Sequence, residues 1–171
     1  MSRTGTILLT MMCAAGCGTP CADPTRINGD WMAHTNLGGA VNGANTEDHP
    51  LQAVPLLAAT MPWRTLFMGS SDQVEISVGP DKHMADYFES EEGCDSFALK
   101  TTSVFEIKER DEGGQIIGGT HHEFLYEAEL RYTGPRVTGT FRYQDEWVGL
   151  VDDRLGSLSI PRGELTLSTV E

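Results

Sequence analysis

Three stretches decide the fold: F-A-L-K-T-T-S-V-F-E-I-K at 97–108, T-H-H-E-F-L-Y-E-A-E-L-R-Y at 120–132 and R-V-T-G-T-F-R-Y-Q at 136–144. Each alternates with a period of two, the pattern of a strand buried on one face. The inward set holds odd positions in the first stretch (Phe97, Leu99, Thr101, Ser103, Phe105, Ile107). It holds even positions in the second (His122, Phe124, Tyr126, Ala128, Leu130, Tyr132) and odd ones in the third (Val137, Gly139, Phe141, Tyr143). Antiparallel neighbours keep these faces together only if paired numbers sum to an odd value, which requires loops with an even number of residues. Gly113 and Gly114 fit a two-residue turn, since both tolerate positive φ. Gly134 and Pro135 fit the centre of a four-residue loop. The same register sets Glu127 opposite Lys100 on one side and Arg142 on the other, and brings Tyr126 to Leu99 and Tyr143.

The pattern extends outward in both directions. Residues 27–34 and 63–68 read as strands, and at 73–78 Val74, Ile76 and Val78 alternate with Glu75 and Ser77. Residues 36–50 are rich in Gly and Asn and read as loop, while Pro55 limits the apolar run 51–60 to a turn or two of helix. Short strands at 148–151, 155–160 and 164–169 are separated by turns at Asp152 and Asp153 and at Pro161, Arg162 and Gly163. About eight to ten strands with short connections predict an all-β domain. The expected form is an antiparallel meander closed into an up-and-down barrel, because closure removes edges that would recruit other strands. A β-sandwich is the alternative.

The chain has 171 residues, which suits one domain large enough to bury a core. Its formal charge is −13, and the first sixteen residues contribute only Arg3. A polyanion repels nucleic-acid phosphates and anionic headgroups, and attracts a cationic protein or a cation. The same acidity also serves simply to keep a domain soluble.

The first residues have another character. Arg3 precedes an apolar run around Ile7, Leu8, Leu9, Met11 and Met12, too short to span a bilayer, and A-A-G-C follows at 14–17. This resembles the lipobox of bacterial lipoproteins. The resemblance implies a signal peptide over 1–16, cleavage before Cys17, lipid on Cys17, a tether over 17–26 and a single β-rich domain over 27–171. Ala14 stands where the family usually has Leu, and ordinary secretion with cleavage nearby is the alternative. Gly18, rather than Asp, follows the lipidated position, which implies the outer membrane in a host that has one. Of four cysteines, Cys13 leaves with the signal and Cys17 carries the lipid. Cys21 and Cys94 remain as the expected disulfide, worth up to ~4 kcal/mol through the long loop it closes.

Residues 23–31 read D-P-T-R-I-N-G-D-W, and Gly29, Asp30 and Trp31 resemble the G-x-W that opens the first strand of lipocalins. The resemblance implies an eight-stranded barrel whose closed end is plugged by Trp31, with an arginine near the last strand, Arg154 or Arg162, packed over the ring. The family's T-D-Y motif and C-terminal helix have no counterpart here.

Chemistry-bearing motifs are sparse. There is no G-x-S-x-G, H-E-x-x-H or phosphate-binding glycine loop, so neither enzymatic activity nor a cofactor is expected. His121 and Glu123 share one strand face, which can begin a metal site but not complete one. His34, His49 and His83 have no converging spacing, so no metal is expected. Glu89, Glu91, Glu92, Asp95, Asp145, Glu146, Asp152 and Asp153 read as carboxylates of solvated turns. The inward Thr101, Ser103, His122, Tyr126 and Tyr143 are the candidate lining of a cavity for a small apolar ligand. The functional expectation is a membrane-anchored envelope lipoprotein that binds such a ligand. The alternative is an acidic module that docks a cationic protein. Replacing the lipid acceptor, Cys17→Ser, is expected to move the protein from the membrane to the soluble fraction; continued sedimentation with membranes would refute the anchor.

Overall fold

Alternation over 97–144 becomes a set of long neighbouring strands. The computed structural model describes residues 23–39, 41–44, 54–90 and 93–170. Its strands are β1 (Gly29–Asn36), β2 (Asn42–Ala44), β3 (Thr60–Met68), β4 (Gln73–Val78), β5 (Asp81–Glu89), β6 (Ser96–Arg110), β7 (Ile116–Thr133), β8 (Arg136–Gly149) and β9 (Leu155–Thr169). All pairings are antiparallel, in the order β1-β3-β4-β5-β6-β7-β8-β9, and a β1–β9 ladder closes eight strands into an up-and-down barrel. The short β2 lies on β9 beyond the end of β1. The closed ring excludes the sandwich alternative. Among the described residues no helix is long and apolar enough to cross a membrane.

Among the described residues two 3₁₀ turns accompany the barrel. Pro24–Ile27 precedes β1, with the Asp23 side chain accepting from the Thr25 N–H, and buries Ile27. Pro55–Leu57 precedes β3 and buries Leu56 and Leu57. Because β1 and β3 are antiparallel, these turns sit at opposite ends, called here the near end (start of β1) and the far end (start of β3).

The central register is the expected one. Glu127 pairs with Lys100 and Arg142, and Tyr126 with Tyr143. Lys100 Nζ lies 3.0 Å from the Glu127 carboxylate, and Arg142 Nε donates to its other oxygen. These contacts, the Arg142 hydrogen bond foremost, hold the Glu127 carboxyl below its usual pKa. On the β6 side Tyr126 faces Thr101 rather than Leu99, which pairs with Ala128 and is only its diagonal neighbour.

Connections differ from the expectation in instructive ways. Asp111 organises a five-residue β6–β7 loop, where the two-residue turn at Gly113 and Gly114 was expected: its carboxylate accepts from the Gln115 N–H, and its carbonyl from the Gly114 N–H. The odd-sum register survives because a bulge follows, shifting the pairing between Glu109↔Gly118 and Arg110↔Ile116. Gly134 and Pro135 form a two-residue turn, not a four-residue loop, between the paired Thr133 and Arg136. Gly79 and Pro80 do the same between Val78 and Asp81. In both, glycine takes the positive φ (66° and 60°) that a tight hairpin needs beside proline. Pro161 and Arg162 do not end a strand; they form a bulge within a continuous β9. Residues 148–151 are likewise no separate strand: β8 runs on through Asp145 to Gly149.

Two strands had no clear signal: β2 falls within residues 36–50, which read as loop, and β5 carries polar residues inward. On β5 the inward positions are Asp81, His83, Ala85 and Tyr87, while Met84 and Phe88 face solvent at 43% and 51% exposure. That inverts the usual polarity and hides the alternation.

Arg142→Glu sets two carboxylates opposite each other. It is expected to lower the melting temperature by a few degrees at low salt and by less at high salt, where screening shortens its reach. Because the folded pKa of Glu127 is depressed, its contribution is present above the unfolded carboxylate pKa and fades as pH falls through the folded value. The difference between wild type and Glu127→Gln should therefore vanish in acid. A variant melting like wild type at low salt and neutral pH would contradict this account.

Candidate functional site

The near end is closed by hydrogen bonding and rings. Trp31 is 6% exposed, and its indole N–H donates to the Ile27 carbonyl (2.9 Å) and to Thr65 Oγ1 (3.0 Å). Neither Arg154 nor Arg162 covers it: Arg154 is exposed 3.8 Å from Asp152, and Arg162 is exposed in the β9 bulge. The ring-capping cation is instead Arg26, 4.0 Å from the centroid of Tyr132 and 3.1 Å from Asp95. Arg26 belongs to the turn that enters the barrel, so it reaches the rim that the last strand's arginines do not.

Between the ends, rings occupy the interior. Phe67 meets Tyr87 at 5.4 Å, Tyr87 meets Phe97 at 5.4 Å, and Phe97 meets Tyr132 at 5.0 Å. Tyr126 stacks on Phe141 at 5.2 Å, and Phe124 meets Tyr143 at 5.6 Å. Thr101, His122, Tyr126 and Tyr143, four of the five candidate lining residues, are buried among these rings; Ser103 is half-buried nearer the far end. The Thr101 hydroxyl and the Tyr126 phenol are buried without a hydrogen-bond partner, and burial raises the Tyr126 pKa far above its ordinary value.

The main polar feature inside the barrel centres on a residue expected in a turn. Asp145 is 1% exposed on the inward face of β8. Its Oδ2 lies 2.9 Å from His122 Nδ1 and accepts from the Tyr143 hydroxyl at 3.1 Å. Thr120 Oγ1 is 2.7 Å from His122 Nε2. Phe105 and Trp147 flank the imidazole, at centroid distances of 4.4 and 5.5 Å. Burial, with the neighbouring Asp145 charge, raises the Tyr143 pKa. Hydroxyl, imidazole and carboxylate follow the order of a nucleophilic triad. Here, though, the imidazole is fully buried between two rings, which suits a hydrogen-bonded anchor fixing β7 to β8. The odd-position rule for β8, carried one step past Tyr143, finds Asp145; the acidic neighbour Glu146 disguised it as a turn.

The outer surface at the far end has a different composition. His121 and Glu123 face outward as expected, and His121 Nδ1 lies 3.2 Å from Glu106 across the strands. Among the described residues no group of His, Cys, Asp and Glu could hold a metal ion. A groove of about 390 Å³ runs over β7, β8, β9 and β2. Val148 and Leu155 contribute apolar surface, and Glu123 and Glu146 contribute carboxylates. Leu155 is 70% exposed, and neighbouring Val151 is 61% exposed. The groove rests on Gly156: a Cβ there would lie 2.1 Å from the Trp147 ring, so only glycine lets that ring seal the barrel beneath. Exposed Glu109, Asp111, Glu112, Asp152 and Asp153 crowd the adjoining hairpin tips.

Cys94 is exposed just ahead of β6, whereas Cys17, Cys21 and His49 lie outside the described residues. Comparison with protein-family models, curated proteins and solved structures finds no match to this chain.

Asp145→Ala removes the acceptor shared by His122 and Tyr143 and is expected to cost about 3 kcal/mol of stability in urea unfolding. Asp145→Asn keeps an acceptor oxygen and should cost less than half as much. Equal losses would show that the acceptor plays no part.

Proposed function

We propose that this chain is an exported, lipid-anchored barrel that docks a cationic protein on its far end. The observation that carries this reading is the far-end groove, where half-buried Val148 and exposed Leu155 pair across β8 and β9, one row along from the paired Glu123 and Glu146. An apolar patch rimmed by one sign of charge suits a partner that inserts an apolar side chain and offers lysine or arginine at its edge. The formal charge of −13 adds long-range attraction for such a partner. The packed rings inside the barrel favour action through the surface over carriage of a ligand along its axis.

The anchor and the groove fit together in this reading. The chain enters the barrel through Pro24–Ile27 at the near end, so a lipid on Cys17 leaves the groove pointing away from the membrane. The proposed Cys21–Cys94 disulfide would reinforce that entry. In its support, the Arg26–Asp95 ion pair and the Tyr132 N–H to Asp95 carbonyl bond (2.8 Å) hold the segment after Cys94 beside the entering turn.

Lysozyme and cytochrome c serve as cationic probes against the Cys17→Ser form, by biolayer interferometry at low and high salt. At least one is expected to bind, with an on-rate falling as salt rises. Leu155→Ser and Glu146→Lys should each weaken binding roughly tenfold, the loss of one central contact. Absence of salt-dependent binding to both probes, or wild-type binding by both variants, would overturn the proposal.

A further inference from the structure

The barrel has a seam between β5 and β6. Ladder pairs run from Glu89↔Phe97 to Asp86↔Lys100 and stop there, although β5 begins at Asp81 and β6 continues to Arg110. Where the strands part, a cavity of about 330 Å³ opens at the far end. Phe105, Phe124 and Ile107 form its apolar side, the turn residues Val54 and Pro55 cover it, and Ser103 adds a hydroxyl. His83 also lines it, with its ring 6.0 Å from that of Phe124 in an edge-on arrangement. Both His83 ring nitrogens are buried, and neither has a hydrogen-bond partner.

Such an imidazole is costly unless something bonds to it, because a buried polar atom left unsatisfied loses its hydration without return. Desolvation holds its pKa below the ordinary value, against the opposing pull of Asp81. At neutral pH the ring therefore offers one donor and one acceptor. Asp81, Lys82 and Glu106 at the opening carry both signs of charge, so the pocket has no single counter-charge to hold an ion.

We propose that the β5–β6 seam is a binding site for a small uncharged aromatic molecule bearing a hydroxyl group. The ring packs against Phe105 and Phe124, and a turn of the His83 ring, whose nitrogens are enclosed in this structure, brings one of them to the hydroxyl. The cavity is at the small end of the range for ligand pockets, which suits one or two rings rather than a lipid chain. The site is separate from the outer groove and rests on no part of the docking proposal.

Phenol is the probe, with benzoate and benzylamine as its charged counterparts, titrated into the Cys17→Ser chain and followed by NMR. Phenol is expected to shift the His83 ring signals and those of Phe105 and Phe124 saturably, and both charged probes to bind roughly tenfold more weakly or not at all. His83→Leu and Ser103→Leu, each checked for folding by circular dichroism, should abolish the saturable response. Three outcomes would overturn the site: no saturable shift in the wild type, equal binding by a charged probe, or unchanged phenol binding in whichever variant folds.

Discussion

A barrel closes only if its hydrogen-bond ladder can be carried all the way round, and here the strands that must carry it have two lengths. The members β1, β3, β4 and β5 have six to nine residues, while β6 to β9 have fourteen to eighteen. Where long meets short, more than half of β6 and of β9 lacks a barrel partner on that side. The two boundaries resolve this differently. Between β9 and β1 the chain supplies β2, three residues laid along 157–159 beyond the end of β1. Between β5 and β6 the strands part, and side chains with the Pro55–Leu57 turn fill the gap incompletely. The outer groove and the seam cavity both follow from this mismatch.

The barrel and its central register were legible because parity is a strict rule: one slipped residue would send Phe124 and Tyr126 into water. Cross-strand charge at Lys100, Glu127 and Arg142 agreed with the apolar pairing, and two independent signals in one register leave little freedom. Bulges were not legible. The one between Glu109 and Arg110 and the one at Pro161 and Arg162 each insert a residue, so paired numbers that sum to an odd value on one side sum to an even value on the other. Alternation on either flank looks the same whether a turn or a bulge lies between, so β9 read as two strands.

The site was less legible than the fold. Inward positions on β6, β7 and β8 were assigned correctly as a face, but a face does not reveal whether it surrounds space or other side chains. In the fold that face is covered by rings packed between neighbouring strands: Phe97 with Tyr132, Phe124 with Tyr143 and Tyr126 with Phe141. Asp145 and His83 were missed for a common reason. Each is a polar residue at an inward position, where pattern reading expects an apolar one. One is satisfied by His122 and Tyr143, and the other has no partner on the protein.

The pairing order of the sheet also bears on how the chain reaches this state. From β3 to β9 every strand pairs with the next in sequence, through connections of a few residues. The ladder between β1 and β9 joins 31–36 to 164–169, almost the whole length of the domain. Loop-closure entropy makes the hairpins cheap and that final ladder expensive. The meander can thus assemble as an open, curled sheet, with closure as the late and reversible event. Amide hydrogen exchange along 164–169 would report that opening, set against the protection of the β6–β8 hairpins.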